Sequence, residues 1–478
     1  MPAVATPAHP GYPNPPISTN IPANGPPRRA TCRPRPRESA MGQSAGNGKS
    51  ARNGNGHRIG NGKSRPRVTE LPKITVHSDT RDILAHASKD RDAQPEEYFI
   101  VDVDAHVTET AFWSEVTDRI DNDVYRQMAK SFRDRVGSPP GLLNAVPGMA
   151  YQDVYGRIPH QQRLGEPVPD GPTHRQVTLI RRAMDAMGIH YMVVFPTPML
   201  VLGMHQQADV EAAVGTAYNR WLVERILPED DRIKALLYLP FNEPDACVKV
   251  VERFADSPGV IGFTVTSSRF RAVHHDSYMR LYSAIQATGK PLSFHSGFHW
   301  GDQSMQQCNR FISMHALSFV HFNLVHMTNW IINGLPERFP KLKVAWIESG
   351  LAWVPYLMQR LDHEYMMRSS EAPLLRRRPS EYMRDMYFTS QPLERSNLKL
   401  TEATFEAINA ESQLLFASDW PHWDFDLPGS ITNLPFLSAQ AKRNILGLNA
   451  AKLFNLTVPP RRMPARKPAP ARRVPVPA

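Results

Sequence analysis

HYMVVFPTPMLVLGMHQQADVEAAVGTAYNRWLVERILPEDDRIKALLYLPF, residues 190–241, decides the fold. It opens on a short apolar run (190–197), passes through a stretch with apolar residues at helical spacing (209–227), and closes on a second apolar run (233–241). Strand, helix, strand is the unit of a parallel sheet, because parallel neighbours need a crossover of a dozen or more residues. The same unit repeats outward in both directions. Before it stands FIVDVDAHV (99–107); after it come GVIGFTVTS (259–267), PLSFHSG (291–297), KVAWIESG (343–350), MYFTSQ (386–391) and QLLFASDW (413–420). The amphipathic stretches PDACVKVVERFADS (244–257), DSYMRLYSAIQATG (276–289) and WVPYLMQRLDHEYMMR (353–368) lie between these runs. Eight strands alternating with helices predict an α/β fold, a (β/α)₈ TIM barrel, with an open doubly wound sheet as the competing topology. No GxGxxG or GxxxxGK[ST] follows any of the runs, so a dinucleotide or P-loop site is not supported.

Charge and composition divide the chain further. Its net charge is +10, but residues 1–70 hold eleven Lys and Arg against Glu38 and Glu70, and 459–478 hold six and no acid. The stretch between is therefore mildly acidic, and the basicity lives at the two ends. Residues 1–95, rich in Pro, Gly, Asn, Ser and Arg, are expected to be a disordered leader, 96–458 the barrel, and 459–478 a disordered basic tail. Residues 110–172 are too long for an ordinary βα loop and are expected to form a cap after the first strand, over the barrel mouth. Basic tails around an acidic core make a nucleic-acid partner a disfavoured reading. No run reaches the length of a membrane span, and no signal-peptide-like stretch opens the chain. Cys32, Cys247 and Cys308 are odd in number and far apart, which suits a reducing cytoplasm rather than a disulfide framework.

Polar residues gather where barrels place their active sites, at the C-terminal ends of strands. Asp104 and His106 end the first run, and their i, i+2 spacing sends both side chains to one face. His295 ends the fifth and Asp419 the eighth. Any one of these alone reads more simply as a helix cap or a hydrogen-bonded loop residue. Four at the mouth of one barrel point to a catalytic divalent metal, with open positions for water and substrate.

Several stretches then carry a resemblance: DAHVTE (104–109), LSFHSG (292–297), GLPERFPKLKVAWIESG (334–350), WVPYLMQRLD (353–362), FASDWPHWD (416–424) and ILGLNAAKLFNL (445–456). Together they make 98–456 resemble the amidohydrolase superfamily, in the amidohydrolase-related branch that includes aminocarboxymuconate-semialdehyde, resorcylate and carboxyvanillate decarboxylases. The resemblance implies one metal at the barrel mouth, with ligands at Asp104, His106, His295 and Asp419. Zinc is the first expectation, manganese or iron the alternatives, and a second metal is left open. The fourth run, IGFTVTS, offers no Lys for the carbamylated ligand of binuclear relatives. One departure stands out: where the branch's decarboxylases place a His at the end of strand six, this chain has Glu348. Glu348 could be a general base, an additional ligand, or a structural carboxylate paired with an Arg.

Because that His is missing, the sequence favours a hydrolase acting on a small organic acid or aromatic compound through a metal-activated water. Asp419 and Glu348 are its expected catalytic groups. A non-oxidative decarboxylase, an iron-dependent oxygenase using Glu348, and a non-catalytic accessory protein are the alternatives. His422 is a candidate substrate contact or a cap of the next helix, His299 and Trp300 are candidate substrate contacts, and Glu109 is a candidate partner behind His106 or a helix cap. His315, His321 and His326 share one helical stretch without zinc-helix spacing and read as surface or packing residues. The expected partners are a small-molecule substrate and, by the resemblance, further copies of the chain, with no membrane.

Overall fold

Each of the eight apolar runs forms a strand: β1 Val101–Val107, β2 Tyr191–Pro196, β3 Ile233–Tyr238, β4 Val260–Thr266, β5 Leu292–His295, β6 Val344–Ile347, β7 Tyr387–Thr389 and β8 Leu414–Leu415. The computed structural model describes residues 80–94, 97–109, 112–136, 168, 170–269, 271–422 and 424–460. The strands lie in chain order in one parallel sheet. The sheet returns on itself where Val103 N donates to Phe416 O (3.0 Å) and His106 N to Trp420 O (2.6 Å). The fold is a (β/α)₈ barrel, and the open sheet is excluded by that closing seam.

Two apolar layers explain why these residues make these elements. Val101, Val103, Val193, Phe195, Leu236, Ile261, Ala345, Ile347 and Leu415, drawn from six strands, pack together as the barrel interior, joined by Ala450 and Phe454 of the last helix. The opposite faces of the strands pack under the surrounding helices, among them Arg175–Met187, Ala208–Trp221 and Pro244–Phe254, in one large core. Both faces are buried, so the strands read as continuous apolar runs instead of alternating ones.

One irregularity positions the site. The β1–β2 register shifts between Asp102 and Ala105. Below the shift Val101 and Val103 face the barrel interior; above it Ala105 and Val107 belong to the outer core. Strict alternation from Val101 would turn Asp104 and His106 outward. The bulge reverses the parity and aims them into the mouth, a common use of bulges beside active sites.

The expected leader is shorter than 1–95, since Thr80–Asp92 is a helix. Ala87 of that helix is buried, and Arg91 donates to the carbonyl of Asp185 on the helix Arg175–Met187 (2.5 Å). An amphipathic face with a helix to pack on outweighs the flanking Pro- and Gly-rich composition. Residues 1–79 and 461–478 lie outside the described residues, as does most of the expected cap. Of the cap, the helices Trp113–Thr117 and Asp123–Val136 are described. The first is tied to the barrel wall: Phe112 stacks on Trp221 at 4.0 Å, and Trp221 Nε1 donates to Glu115 (3.0 Å). Among the described residues, no helix is long and apolar enough to cross a membrane.

Candidate metal centre

Asp104, His106, His295 and Asp419 converge at the C-terminal mouth of the barrel. His106 Nε2 lies 3.2 Å from Asp104 Oδ1 and 3.2 Å from Asp419 Oδ1, and His295 Nε2 lies 3.1 Å from the same Asp104 oxygen. Glu348 joins them, its Oε2 3.6 Å from His295 Nδ1. His422 completes the group: its Nδ1 is 2.6 Å from Asp419 Oδ1, and its ring stacks on that of His106 at 4.0 Å. All six residues are buried.

The backbone fixes which atoms are offered. His106 Nδ1 donates to Pro196 O and His295 Nδ1 to Ser296 O, each at 2.7 Å, which leaves both Nε2 atoms aimed into the cluster. Glu348 and Asp419 both sit in the left-handed backbone region, with φ of 57° and 62°. A non-glycine residue held there costs about 1–3 kcal/mol and persists only where its surroundings enforce it, a condition concentrated at functional sites. Thr389 Oγ1 accepts from Glu348 N (2.9 Å), while Asp419 N donates to Asp104 O (2.6 Å) and His422 N to Asp419 O (2.8 Å).

Burial and crowding shift the charges. Burial pushes the Glu348 carboxyl well above the usual carboxylate range, and the neighbouring Asp419, Asp104 and Asp424 push it further. Burial also lifts Asp419, which His106 pulls back to about 7. Burial works against the Asp104 carboxylate too, but His295 and His106 hold it below its ordinary value. His106 is lifted to about 10, because Asp104 and Asp419 outweigh its own desolvation. His422 is pushed down by burial and by the charge of His106.

These residues fit a divalent cation. Asp104 Oδ2, His106 Nε2, Glu348 Oε2 and both Asp419 oxygens are buried without a hydrogen-bond partner, a rare state for polar atoms unless a ligand completes them. Donor atoms placed at about 2.1 Å from one cation lie roughly 3.0–3.4 Å apart, octahedral to tetrahedral, and the separations of 3.1 and 3.2 Å that link Asp104, His106, His295 and Asp419 fall in that range. Donor atoms of Asp104, His106, His295 and Glu348 all fall within 4.8 Å of one another, as do those of His106, Asp419 and His422. His106 has only one free nitrogen, so these overlapping sets describe one centre.

Other expectations need revision. Glu109 does not stand behind His106: it accepts from Thr197 N (3.0 Å) and Met199 N (3.3 Å), capping the turn that leaves β2. Pro196 O stands there instead. Among the described residues Glu348 has no Arg partner, which removes the structural ion-pair reading. Trp300 sits in a small cluster with Met305, Met314, Phe298 and Cys308, its Nε1 donating to Cys308 O (2.8 Å). His299, in the same loop, is buried with both ring nitrogens unpartnered, and burial lowers it to about 4. Neither residue joins the metal cluster. His326 packs inward, its Nε2 donating to Ser267 O (2.7 Å), and His315 rests on Phe319.

Two residues escaped the sequence reading. Asp102, on the strand that carries Asp104, bonds Ser418, the neighbour of Asp419. Thr197 Oγ1 lies 3.3 Å from His422 Nε2. Asp102 could have been suspected as a charge inside an apolar strand; Thr197 gave no signal.

Comparison with known proteins agrees with this architecture. The sequence model of the amidohydrolase family matches residues 173–456, more than half of the chain. The gamma-resorcylate decarboxylase of Polaromonas sp. is 24% identical over 287 residues, 58% of this chain and 86% of that protein. That of a Rhizobium species is 23% identical over 291 residues, 58% and 86%. Among solved structures, the manganese-bound 5-carboxyvanillate decarboxylase of Novosphingobium aromaticivorans superposes with a TM-score of 0.56 at 18% identity, covering 75% of this chain and 97% of that one. The corresponding enzyme of Sphingomonas paucimobilis gives 0.53 at 20%, covering 75% and 100%. At such identities the structural likeness establishes the fold alone.

Proposed function

The chain belongs to the amidohydrolase family and is an enzyme, and on that premise we propose that it is a cation-dependent decarboxylase of a small hydroxylated aromatic acid. The carrying observation is the set of buried, unpartnered donor atoms on Asp104, His106, Glu348 and Asp419, closed on one side by His295. The relatives, gamma-resorcylate decarboxylases that align along most of their length, favour loss of CO₂ over the hydrolysis expected from the missing strand-six His.

Asp104, His106, His295 and Asp419 would hold the cation. When bound, such a cation supplies Lewis-acid charge that polarises a substrate oxygen; zinc and manganese both suit these donors. The chain's own groups handle the proton. Glu348 and Asp419 face each other, and burial pushes both upward, so at neutral pH the pair retains a proton. That proton passes to the ring carbon bearing the carboxylate. The bond from that carbon to the carboxylate then breaks, its electron pair restores the aromatic ring, and CO₂ leaves. His422, close against Asp419 and braced by Thr197, limits the directions open to the donor carboxyl. Protein loaded with manganese or zinc should convert 2,6-dihydroxybenzoate or a related hydroxybenzoate to the arene with stoichiometric CO₂. Ester, lactone or amide hydrolysis without CO₂ release would overturn the assignment.

Hydrolysis keeps one specific support, Glu348. A buried carboxyl beside the centre is suited to take a proton from water once a cation has lowered its affinity for that proton.

A further inference from the structure

Asp102 is a buried acid among valines, and it touches none of the six residues of the centre through its side chain except by accepting from Asp104 N at 3.2 Å. Its remaining bonds go to a single residue across the closing seam: Ser418 N donates to Oδ1 (2.8 Å) and Ser418 Oγ to Oδ2 (2.5 Å). Ser418 Oγ in turn accepts from Trp420 N (3.0 Å). The carboxylate therefore grips the chain on both sides of Asp419, the residue held at φ 62°. A buried carboxylate is a costly way to stitch two strands, and an apolar pair of the same size would stabilise the barrel at least as well. What the apolar pair would not do is dictate the backbone conformation at Asp419.

We propose that Asp102 is a positioning residue, acting through Ser418 to hold the Asp419 carboxylate in its left-handed seat at the cation centre. The proposal rests on the reading of Asp419 as a ligand. Two acceptor oxygens are needed because three donors converge on them: Ser418 N, Ser418 Oγ and Asp104 N. The same carboxylate thus also secures the β1 bulge that turns Asp104 inward. One buried acid registers two ligands against each other from opposite sides of the seam.

Calorimetric titration of the full chain with manganese tests it. Asp102→Ala and Ser418→Ala should each weaken the dissociation constant about 10- to 100-fold, as loss of supporting hydrogen bonds around metal ligands does. Asp102→Asn, which keeps an acceptor for Ser418 N and Asp104 N, should recover most of the affinity. In an Asp419→Ala background, Ser418→Ala should produce no further weakening, since its effect is routed through Asp419. Thermal unfolding, read in parallel without cation, reports any loss of fold separately, and Ser418→Ala and Asp102→Asn serve if Asp102→Ala does not fold. A wild type that binds manganese, beside Asp102→Ala and Ser418→Ala variants that bind it equally well, overturns the positioning role alone, as does full additivity with Asp419→Ala. A wild type that binds no divalent cation overturns the cation reading and this assignment together.

Discussion

The lower barrel interior and the barrel mouth are built from the same strands, a few residues apart, by opposite rules. Below, Val101, Val103, Val193, Leu236 and Ile261 fill the space with side chains that need nothing but each other. Above, Asp104, His106, His295, Glu348, Asp419 and His422 crowd carboxyls and imidazoles together, leave oxygen and nitrogen atoms unpartnered, and hold two residues in strained backbone. The interior is a solution to folding. The mouth departs from that solution where the proposed cation and substrate would require it, and the interior supplies the stability that allows the departure.

Substitutions that separate the two regions give the sharpest tests. Replacing His295 or Asp104 by Ala should lower turnover by more than about 100-fold, beyond the usual cost of losing a ligand's supporting partner. The fold should survive, as circular dichroism would show. Leu236→Ala, in the interior, should do the reverse, costing about 2–5 kcal/mol of stability through the cavity it leaves. Its effect belongs in chemical denaturation. If His295→Ala unfolds the barrel, the division between regions fails.

A gentler test uses pH. Asp419 is lifted by burial from its ordinary 3.8 to about 7, and Asp102 likewise. An acid with a raised folded-state pKa binds more protons folded than unfolded between the two values, so stability falls as pH rises from about 4 to 7. His106, lifted to about 10, acts in the same direction at higher pH. Chelator-treated protein should therefore melt at lower temperature at pH 7.5 than at pH 5.5. Added manganese should flatten that slope, and a slope of opposite sign would contradict the charge assignment. The smallest expected effect is at Thr389. Thr389→Val removes the acceptor for Glu348 N, an order of about 1–3 kcal/mol in local hydrogen bonding, and should change the pH–rate profile before it changes the melting temperature.

The same comparison explains what the sequence could disclose. All eight strands were legible, because buried parallel strands are long enough in apolar residues to be recognised without alternation. The positions of Asp104, His106, His295 and Asp419 at strand ends were legible as well, since polar residues there interrupt otherwise apolar runs. Their exact facing was not. Alternation from Val101 points Asp104 outward, and only the bulge corrects it, a feature set by pairing across the sheet. His422 was visible as a residue near Asp419, but its stacking on His106 depends on the turn that follows Asp419. Of the two readings of Glu109, partner of His106 or cap, sequence proximity to His106 could not choose, because it says nothing of the turn after β2 that the carboxylate holds. The order of hydrolysis and decarboxylation was drawn from one missing His, too narrow a basis against relatives matched over most of their length.

The central claim, that Asp104, His106, His295 and Asp419 surround one catalytic cation, is most directly tested by anomalous diffraction from crystals grown with manganese. A single strong peak within about 2.0–2.3 Å of their free oxygen and Nε2 atoms is expected. No peak among them, or one bound elsewhere, would contradict the account.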